Sequence, residues 1–596
     1  MLPIFTHIQQ SAASCVKELY DTEIDPSSLS VQETRKEFEG DFTLVVFPLT
    51  RYKLGSPVQI GETLGKWLVE HVTEITKFNV IKGFLNLSLS DTFWYHFLAE
   101  NYQNPAFLTR KEGNGQAIVV EFCSPNTNKP LHLGHLRNIV LGDALTRILG
   151  ANGYKAIPTC LFNDRGTNIS KSMYAWLDSH ERETPESSGK KGDKLVGDYY
   201  VAYANRYKEE VAGLKESGLS KEEAEQQAPS QLAIRELTRK WEAGDPETLA
   251  LWTKMNGWVY EAMEYTFERL GVKFDTYYYE SQVYKKGKET VQEGLSEGIF
   301  YQKEDGSIWV DLSGEGLDQK LVLRKDGTSI YITQDLAIAD AKYDQYKMNR
   351  SVYVVGNEQE YHFKVLFLIL KKLGKAYSNG LFHLSYGMVD LPTGKMKSRE
   401  GTTVEADDLI DEMVDTAQKI TQELGKTEGM EVEELEKLYH TLGLGALKYF
   451  LVKVDPRKRI LFKPDESIDI NGHTGPFIQY AFTRTASLKR KGEEVLEFSP
   501  DVRPESGMKE HERLLFRKIY QYPSVLKDAA ESYNPAIIAN YAFELAKDFN
   551  RFWHGDKIIQ SDQPQTSSYR FALAQFTGQV LKASMGLLGI DMPERM

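Results

Sequence analysis

Two histidines three residues apart, His132 and His135, bracket Leu133-Gly134, and Lys129 stands just before them. Imidazoles at that spacing share one face of a helix, where they can ligate a metal or donate hydrogen bonds to an anion. No H-E-x-x-H pattern and no third ligand accompany them, and Cys15, Cys123 and Cys160 form no C-x-x-C. A protein-bound metal is therefore not expected. Single histidines near helix starts are commonly plain hydrogen-bonding residues. A helix start also offers unpaired N–H groups and the positive end of the helix dipole, so a phosphate is its natural guest.

The surrounding pattern explains how such residues would be held. From Ala117 the chain carries clustered β-branched apolar residues, as a buried strand does, followed by the polar turn Ser124, Pro125, Asn126, Asn128, Lys129 and Pro130. From Gly134 the apolar positions Leu136, Ile139, Val140, Ala144, Leu145, Ile148 and Leu149 recur at helical spacing. A second strand is predicted over Tyr154 to Phe162, ending in Asn163-Asp164-Arg165-Gly166. Strand, helix, strand implies a parallel sheet with a right-handed crossover, and ligands bind beyond the carboxyl ends of its strands. Both polar turns fall on that edge. Gly134 is expected to let an adenine or ribose approach the backbone.

The chain has 596 residues, enough for several domains, and a formal charge of −13 that argues weakly against nucleic-acid binding over the whole surface. No apolar run approaches the ~20 residues of a membrane span, and no basic-then-apolar leader follows Met1. A cytoplasmic protein with reduced cysteines is expected. Residues 1–112 read as a small α/β domain with an opening helix over Ile4 to Tyr20, a strand over Phe42 to Phe47, a helix after Pro57, and paired strands over Phe78 to Leu89 with Gly83 at the bend. Asn86 interrupts the last of these as a polar residue, and position alone leaves open whether it faces solvent or serves a specific role. Between Ser179 and Asp245 the composition turns polar, and an exposed helical insertion is predicted over about 179–290, with a mobile loop near Thr184 to Lys191 and charges on a solvated face. Further strands of the sheet are predicted near Lys273 to Asp275 and over Ile308 to Leu312, Leu321 to Arg324, Ile330 to Thr333 and Val352 to Val355. From about Thr441 the pattern is all helical, and a bundle is expected.

With these elements in place, His132-Leu133-Gly134-His135 resembles the HIGH signature of class I aminoacyl-tRNA synthetases. Its setting, Ser-Pro-Asn-x-x-Lys-Pro-x-His-x-Gly-His-Leu-Arg, resembles the arginyl-tRNA synthetase version closely. The loop 394–401 falls where that class carries KMSKS, and Thr474 to Tyr480 and the ending Pro593-Glu594-Arg595-Met596 extend the likeness over nearly the whole chain. The resemblance implies an α/β fold: a Rossmann-type parallel-sheet catalytic domain over 113–440, an N-terminal tRNA-binding domain over 1–112, and an α-helical anticodon-binding bundle over 441–596.

It also implies arginine–tRNA ligase activity, with ATP and Mg2+, L-arginine and tRNA(Arg) as reactants and a monomeric enzyme. His132, His135, Lys129, Lys395 and Lys397 would carry catalysis. Pro130, Gly134, His135, Met396, Ser398 and Arg399 would bind ATP. The loop reads Lys-Met-Lys-Ser-Arg, so the fourth-position lysine is missing, and Lys129 is the family's suggested substitute. For arginine, Tyr331, Asp335 and Gln359 match the family's pocket, with Asp335 gripping the guanidinium by charge-assisted bonds. Glu121, Ser124 and Asn126 would hold the α-amino and carboxylate ends. On position alone Tyr331 reads as a strand-end core aromatic and Asp335 as a helix cap. Lysine would leave part of the polar fork unpaired, which rejects analogues by ~10⁴ to 10⁵, so no editing domain is required. Asn86 would meet the tRNA D-loop, and Tyr480, Arg457 and Lys489 the anticodon, whose unpaired bases stack on aromatics.

Two other classes remain open at this stage. A synthetase-like protein that binds tRNA or nucleotide without charging it would have no need of the His132, His135 and Lys395 machinery. A different HIGH-bearing nucleotidylyltransferase would be more compact.

Overall fold

The computed structural model describes residues 3–35, 37–390, 404–425, 429–492, 507–555 and 557–596. The N-terminal region contains α1 (Pro3–Tyr20), β1 (Ser30–Glu33), β2 (Phe42–Val45), α2 (Pro57–His71), β3 (Ile75–Ile81), β4 (Phe84–Leu89) and α3 (Asp91–Asn101). Its antiparallel sheet runs β1-β2-β4-β3. The strand predicted to reach Phe47 stops at Val45, because Pro48 lies in the first turn of a two-turn 3-10 helix over Phe47–Tyr52. Gly65 lets α2 lie close on β3, since a Cβ there would sit 2.2 Å from the Phe78 ring. Asn86 is fully buried rather than solvent-facing. Its Oδ1 accepts from Thr43 Oγ1 at 2.6 Å and its amide donates to Asn79 Oδ1 at 2.8 Å, so its polarity serves an internal network.

The central sheet is five-stranded and wholly parallel, in the order β12-β11-β5-β6-β7. Its strands are β5 (Ala117–Glu121), β6 (Lys155–Phe162), β7 (Thr276–Tyr279), β11 (Arg350–Gly356) and β12 (Leu381–Tyr386), and α4 (Leu133–Ala151) crosses from β5 to β6. Between β6 and β7 lie α5 (Thr167–Asp178), α6 (Pro185–Ser188), α7 (Gly192–Glu216), α8 (Lys221–Gln227), α9 (Pro229–Ala243) and α10 (Pro246–Arg269). Within the segment expected as a loop, Pro185–Ser188 forms the short helix α6 capped by Thr184, and the segment's lysines are not a mere solvated face. Lys191 Nζ lies 2.6 Å from Asp407 Oδ2, and Lys194 pairs with Glu405, so this region is docked by charge.

After β7 come α11 (Glu280–Ser296), β8 (Phe300–Gln302), β9 (Ile308–Val310), β10 (Lys320–Leu323), α12 (Tyr331–Tyr346) and α13 (Glu360–Lys372). Strands β8 to β10 form a separate antiparallel sheet, not a continuation of the parallel one, because short connections allow only antiparallel pairing. The predicted strand Ile330 to Thr333 is the start of α12. Its β-branched run imitates a strand, but Ile332, Leu336 and Ala339 continue at helical spacing into the core. The Thr333 hydroxyl donates to Val322 O while accepting from Ile330 N, which fixes the first turn.

Two-residue strands β13 (Val389–Asp390) and β14 (Ile460–Leu461) pair beside α14 (Ala406–Leu424), α15 (Val432–Val452) and α16 (Pro464–Ser467). Helices α17 (Gly475–Gly492), α18 (Glu510–Tyr520), α19 (Tyr522–Glu531), α20 (Ala536–Gly555) and α21 (Pro564–Leu587) complete the bundle. Position 441, expected to open the bundle, falls inside α15. The N-terminal domain packs on the bundle through Trp94, stacked 5.8 Å from Phe516, and through Arg513, which reaches Asp41 and Asp91.

Candidate active site

The turn after β5 is held from three sides. Cys123 takes a left-handed conformation, φ 56°, and its N–H donates to Asn138 Oδ1 at 2.6 Å. The Asn138 amide donates in turn to Val354 O at 2.7 Å and Tyr386 Oη at 3.2 Å, so one buried side chain on α4 ties together β5, β11 and β12. Asn163 at the end of β6 donates from its backbone to Pro125 O and from its side chain to Ser124 O. Arg137 is fully buried and donates to Lys458 O at 2.8 Å, Pro456 O at 3.2 Å and Gly387 O. Neither Asn138 nor the role of Arg137 is apparent in the sequence, although Arg137 closes the quoted motif. Gly142 lets α4 settle onto β5, since a Cβ there would meet the Phe122 ring at 2.1 Å.

His132 stands just before α4 and His135 in its first turn. His132 Nδ1 accepts from Gly134 N at 3.1 Å, and His135 Nδ1 accepts from His132 N at 3.1 Å. An imidazolium has no acceptor nitrogen, so both rings must be neutral with the proton on Nε2. The electrostatics agree. Burial first, and then Lys129, push His132 down to about 4, while burial, His132 and Lys129 hold His135 well below the ordinary histidine value. The ring centres are 3.9 Å apart, which places two neutral Nε2–H donors side by side. Gly134 is needed for the ring of its own neighbour: a Cβ would lie 3.0 Å from His132 Cε1. Lys129 and Pro130 are partly exposed, and Gly197 of α7 packs against Pro130.

Tyr331 and Asp335 sit one turn apart on α12. Tyr331 is 70% exposed, which overturns the core-aromatic reading. Asp335 lies beyond the first turn and caps nothing; its Oδ2 is 2.5 Å from His362 Nε2. Gln359 is exposed in the single turn before α13, three residues from His362. Glu121 is turned inward: its Oε2 lies 2.5 Å from Nζ of the fully buried Lys342, on the same helix as Tyr331 and Asp335. Burial opposes the Lys342 ammonium most, but Glu121, Tyr353 and Asp335 together outweigh it and the lysine's pKa is raised. A cleft of about 660 Å³ opens over this edge and is walled by Asn126, Arg165, Glu280, Tyr331 and Gln334, while Asp335 and Gln359 lie outside its wall. Glu280, at the end of β7, accepts from Gln334 Nε2 at 2.7 Å. Burial pushes its carboxyl up to about 7 against the influence of Arg165. A carboxyl so perturbed in a cleft is a functional candidate. Nothing in the sequence around Glu280 marks it, and Lys342 and His362 likewise emerge only from the fold.

Lys395, Met396, Lys397, Ser398 and Arg399 lie outside the described residues. The chain that follows them is nevertheless fixed beside His132. β13 precedes the loop, and on return Glu405 bridges His132 while Ala406 N donates to Leu131 O at 2.9 Å. In the bundle, Tyr480 lines a cleft of about 570 Å³ with Arg484, Arg490, Lys491 and Trp553. The Arg484 guanidinium lies over the Tyr480 ring at 4.7 Å. Lys489 lines a neighbouring groove and Arg457 is exposed in the turn before β14. Among the described residues no group of three or more His, Cys, Asp or Glu is arranged to hold a metal, and no helix is long and apolar enough to cross a membrane.

Comparison with known proteins agrees with this architecture. Residues 99–460 match the model for the catalytic domain of class I (R) tRNA synthetases, and residues 478–596 match the DALR anticodon binding domain. An arginine–tRNA ligase from Parabacteroides distasonis is 48% identical over 583 residues, covering 98% of each chain. One from Bacteroides fragilis is 49% identical over 588 residues with the same coverage. The solved arginyl-tRNA synthetase of Thermus thermophilus shares the fold over 99% of both chains, with a TM-score of 0.77 at 24% identity. By near-complete coverage, by both domain matches and by the geometry around His132 and His135, the chain belongs to the arginine–tRNA ligase family of class I tRNA synthetases.

Proposed function

We propose that this chain joins L-arginine to the 3′-terminal ribose of tRNA(Arg), acting in the cytoplasm as a monomer. In the first step the arginine carboxylate attacks the α-phosphorus of ATP in line, pyrophosphate leaves and arginyl-adenylate forms. In the second, a ribose hydroxyl attacks the adenylate carbonyl and AMP leaves. Mg2+ enters as the counter-ion of ATP and belongs to the substrate.

The observation that carries this reading is the pair of neutral imidazoles. Their Nε2–H groups are preset at a helix N-terminus on the carboxyl edge of a parallel sheet, where charge on the phosphoryl oxygens of the transition state can be met without reorganisation. Neutral rings donate without holding the product phosphate by a full charge. Lys129 with Lys395, Lys397 and Arg399 supplies that charge toward the departing pyrophosphate, and Pro130, Gly134, Met396 and Ser398 frame the nucleotide. Tyr331, Asp335 and Gln359 receive the guanidinium, with Glu280 as a second carboxylate near the same helix. Ser124 and Asn126 receive the α-end of the amino acid, and Glu121, paired with Lys342, acts from behind them. Tyr480 with the basic groups around it, Lys489 and Arg457 meets the anticodon arm. The N-terminal sheet meets the D-loop at Asn79, which Asn86 holds from beneath.

Aminoacylation with each common amino acid tests the proposal. Arginine alone should be attached to tRNA(Arg). Attachment of a different amino acid overturns the specificity, and attachment of none overturns the reaction.

A further inference from the structure

The carboxylate proposed for the guanidinium already holds another partner. His362 Nε2 meets Asp335 Oδ2 at 2.5 Å, and the two side chains are 26% and 27% exposed, so the pair stands open to a ligand. The contact takes Oδ2, which leaves Oδ1 for that ligand. His362 is set by its packing: its ring meets Phe363 edge-on at 5.7 Å, and Phe363 stacks on His383 at 4.5 Å, whose Nε2 is 3.0 Å from Val355 O.

A carboxylate gripped by an imidazolium cannot take a guanidinium without bringing two cations together, whereas a neutral imidazole can donate Nε2–H to one oxygen while the guanidinium takes the other. We propose that His362 is a positioning residue for arginine, an imidazolium on Asp335 when the pocket is empty and a neutral donor to it when arginine is bound, so that arginine binding expels a proton. This rests on Asp335 being the guanidinium partner. The groups facing His362 are Asp335 from α12 and His383 from β12; Glu360, on the same helix as His362, acts on His383, and Lys342 and Glu280 lie beyond Asp335. Burial disfavours the imidazolium, but the bond and the charge of Asp335 outweigh burial and the pKa of His362 is raised.

The test is the KM for arginine in tRNA-supported ATP–pyrophosphate exchange, from about pH 6 to about pH 8.5. In the wild type KM should fall as pH rises, by up to about tenfold per pH unit while one proton competes. His362→Gln keeps a donor without the charge, so the fall should shrink to the share of Glu280, with KM at the acid end below that of the wild type. His362→Ala should raise KM about tenfold at the alkaline end, the worth of one hydrogen bond to a charged group, share the shallow pH dependence of His362→Gln, and act on KM more than on kcat. Coincident wild-type and His362→Gln profiles, or an unchanged KM at the alkaline end in His362→Ala, overturn the inference. Asp335→Asn separates it from its premise. If that variant loses arginine while both His362 variants are silent, only the inference falls; if it binds arginine normally, the reading of Asp335 falls too. Should the His362 variants not fold, calorimetry of arginine binding to Glu280→Gln in two buffers decides. Release of about one proton supports the proposal and release of none overturns it.

Discussion

Replacing His132 separates its two jobs. Asn places a polar group where Nδ1 stands, keeping the bond from Gly134 N, and removes the distal donor; Gln does the reverse. A hydrogen bond to a charged group contributes about 1.5 to 3 kcal/mol, so His132→Asn should slow adenylate formation by about 10- to 150-fold. His132→Gln should lose less than about tenfold in rate and about 1 kcal/mol of stability with the missing cap. The ring's pKa is depressed from 6.5 to about 4. Between those values the unfolded chain takes up a proton that the native ring refuses, so stability falls as pH drops through that window, by on the order of 3 kcal/mol at its acid end. The rate should therefore carry no limb from His132 above about pH 5. Pyrophosphate exchange at saturating arginine and tRNA, with thermal unfolding across the same pH range, measures both. The reasoning is refuted if Asn and Gln are equally active, or if an acid limb near pH 6.5 disappears in His132→Asn.

Gly142→Ala should lower the unfolding midpoint, because its Cβ would meet Phe122 at 2.1 Å in a packed core and overpacking costs about 1 to 3 kcal/mol; an unchanged midpoint would show that α4 can shift freely on β5. Lys342→Met leaves the Glu121 carboxylate buried and unpaired, a loss of about 3 to 5 kcal/mol at neutral pH. Adding Glu121→Gln to Lys342→Met should recover much of the loss by removing the stranded charge, and a double variant as unstable as Lys342→Met would exclude the ion pair as its cause. Glu280 has its carboxyl raised to about 7, so guanidinium attraction should grow as pH rises through 7. In Glu280→Gln that part of the KM profile should be flat at the acid-end value, and a profile like that of the wild type would remove Glu280 from the pocket.

The sequence determined a good deal by itself. The strand, polar turn and helix from Ala117 to Gly153 were legible because buried β-branched residues and helical periodicity are local properties of the chain. Their order implied the parallel sheet, and the His132-to-His135 motif lay where a ligand edge was due. Local pattern failed where two conformations share it. The β-branched Ile330 to Thr333 run read as a strand, and the fold made it a helix start by packing Leu336 and Ala339 inward and capping the turn with Thr333. Asn86 stayed open between surface and interior because a single polar side chain in a strand gives no sign of the Thr43 and Asn79 partners waiting on neighbouring strands. The rest was decided by distance in space. Glu121 meets Lys342, Asp335 meets His362, and Glu280 meets Gln334 across separations that no periodicity encodes. Charge state is set by such partners and by burial, so the neutral tautomers of His132 and His135 belong to the tertiary structure, while the choice of histidine belongs to the sequence.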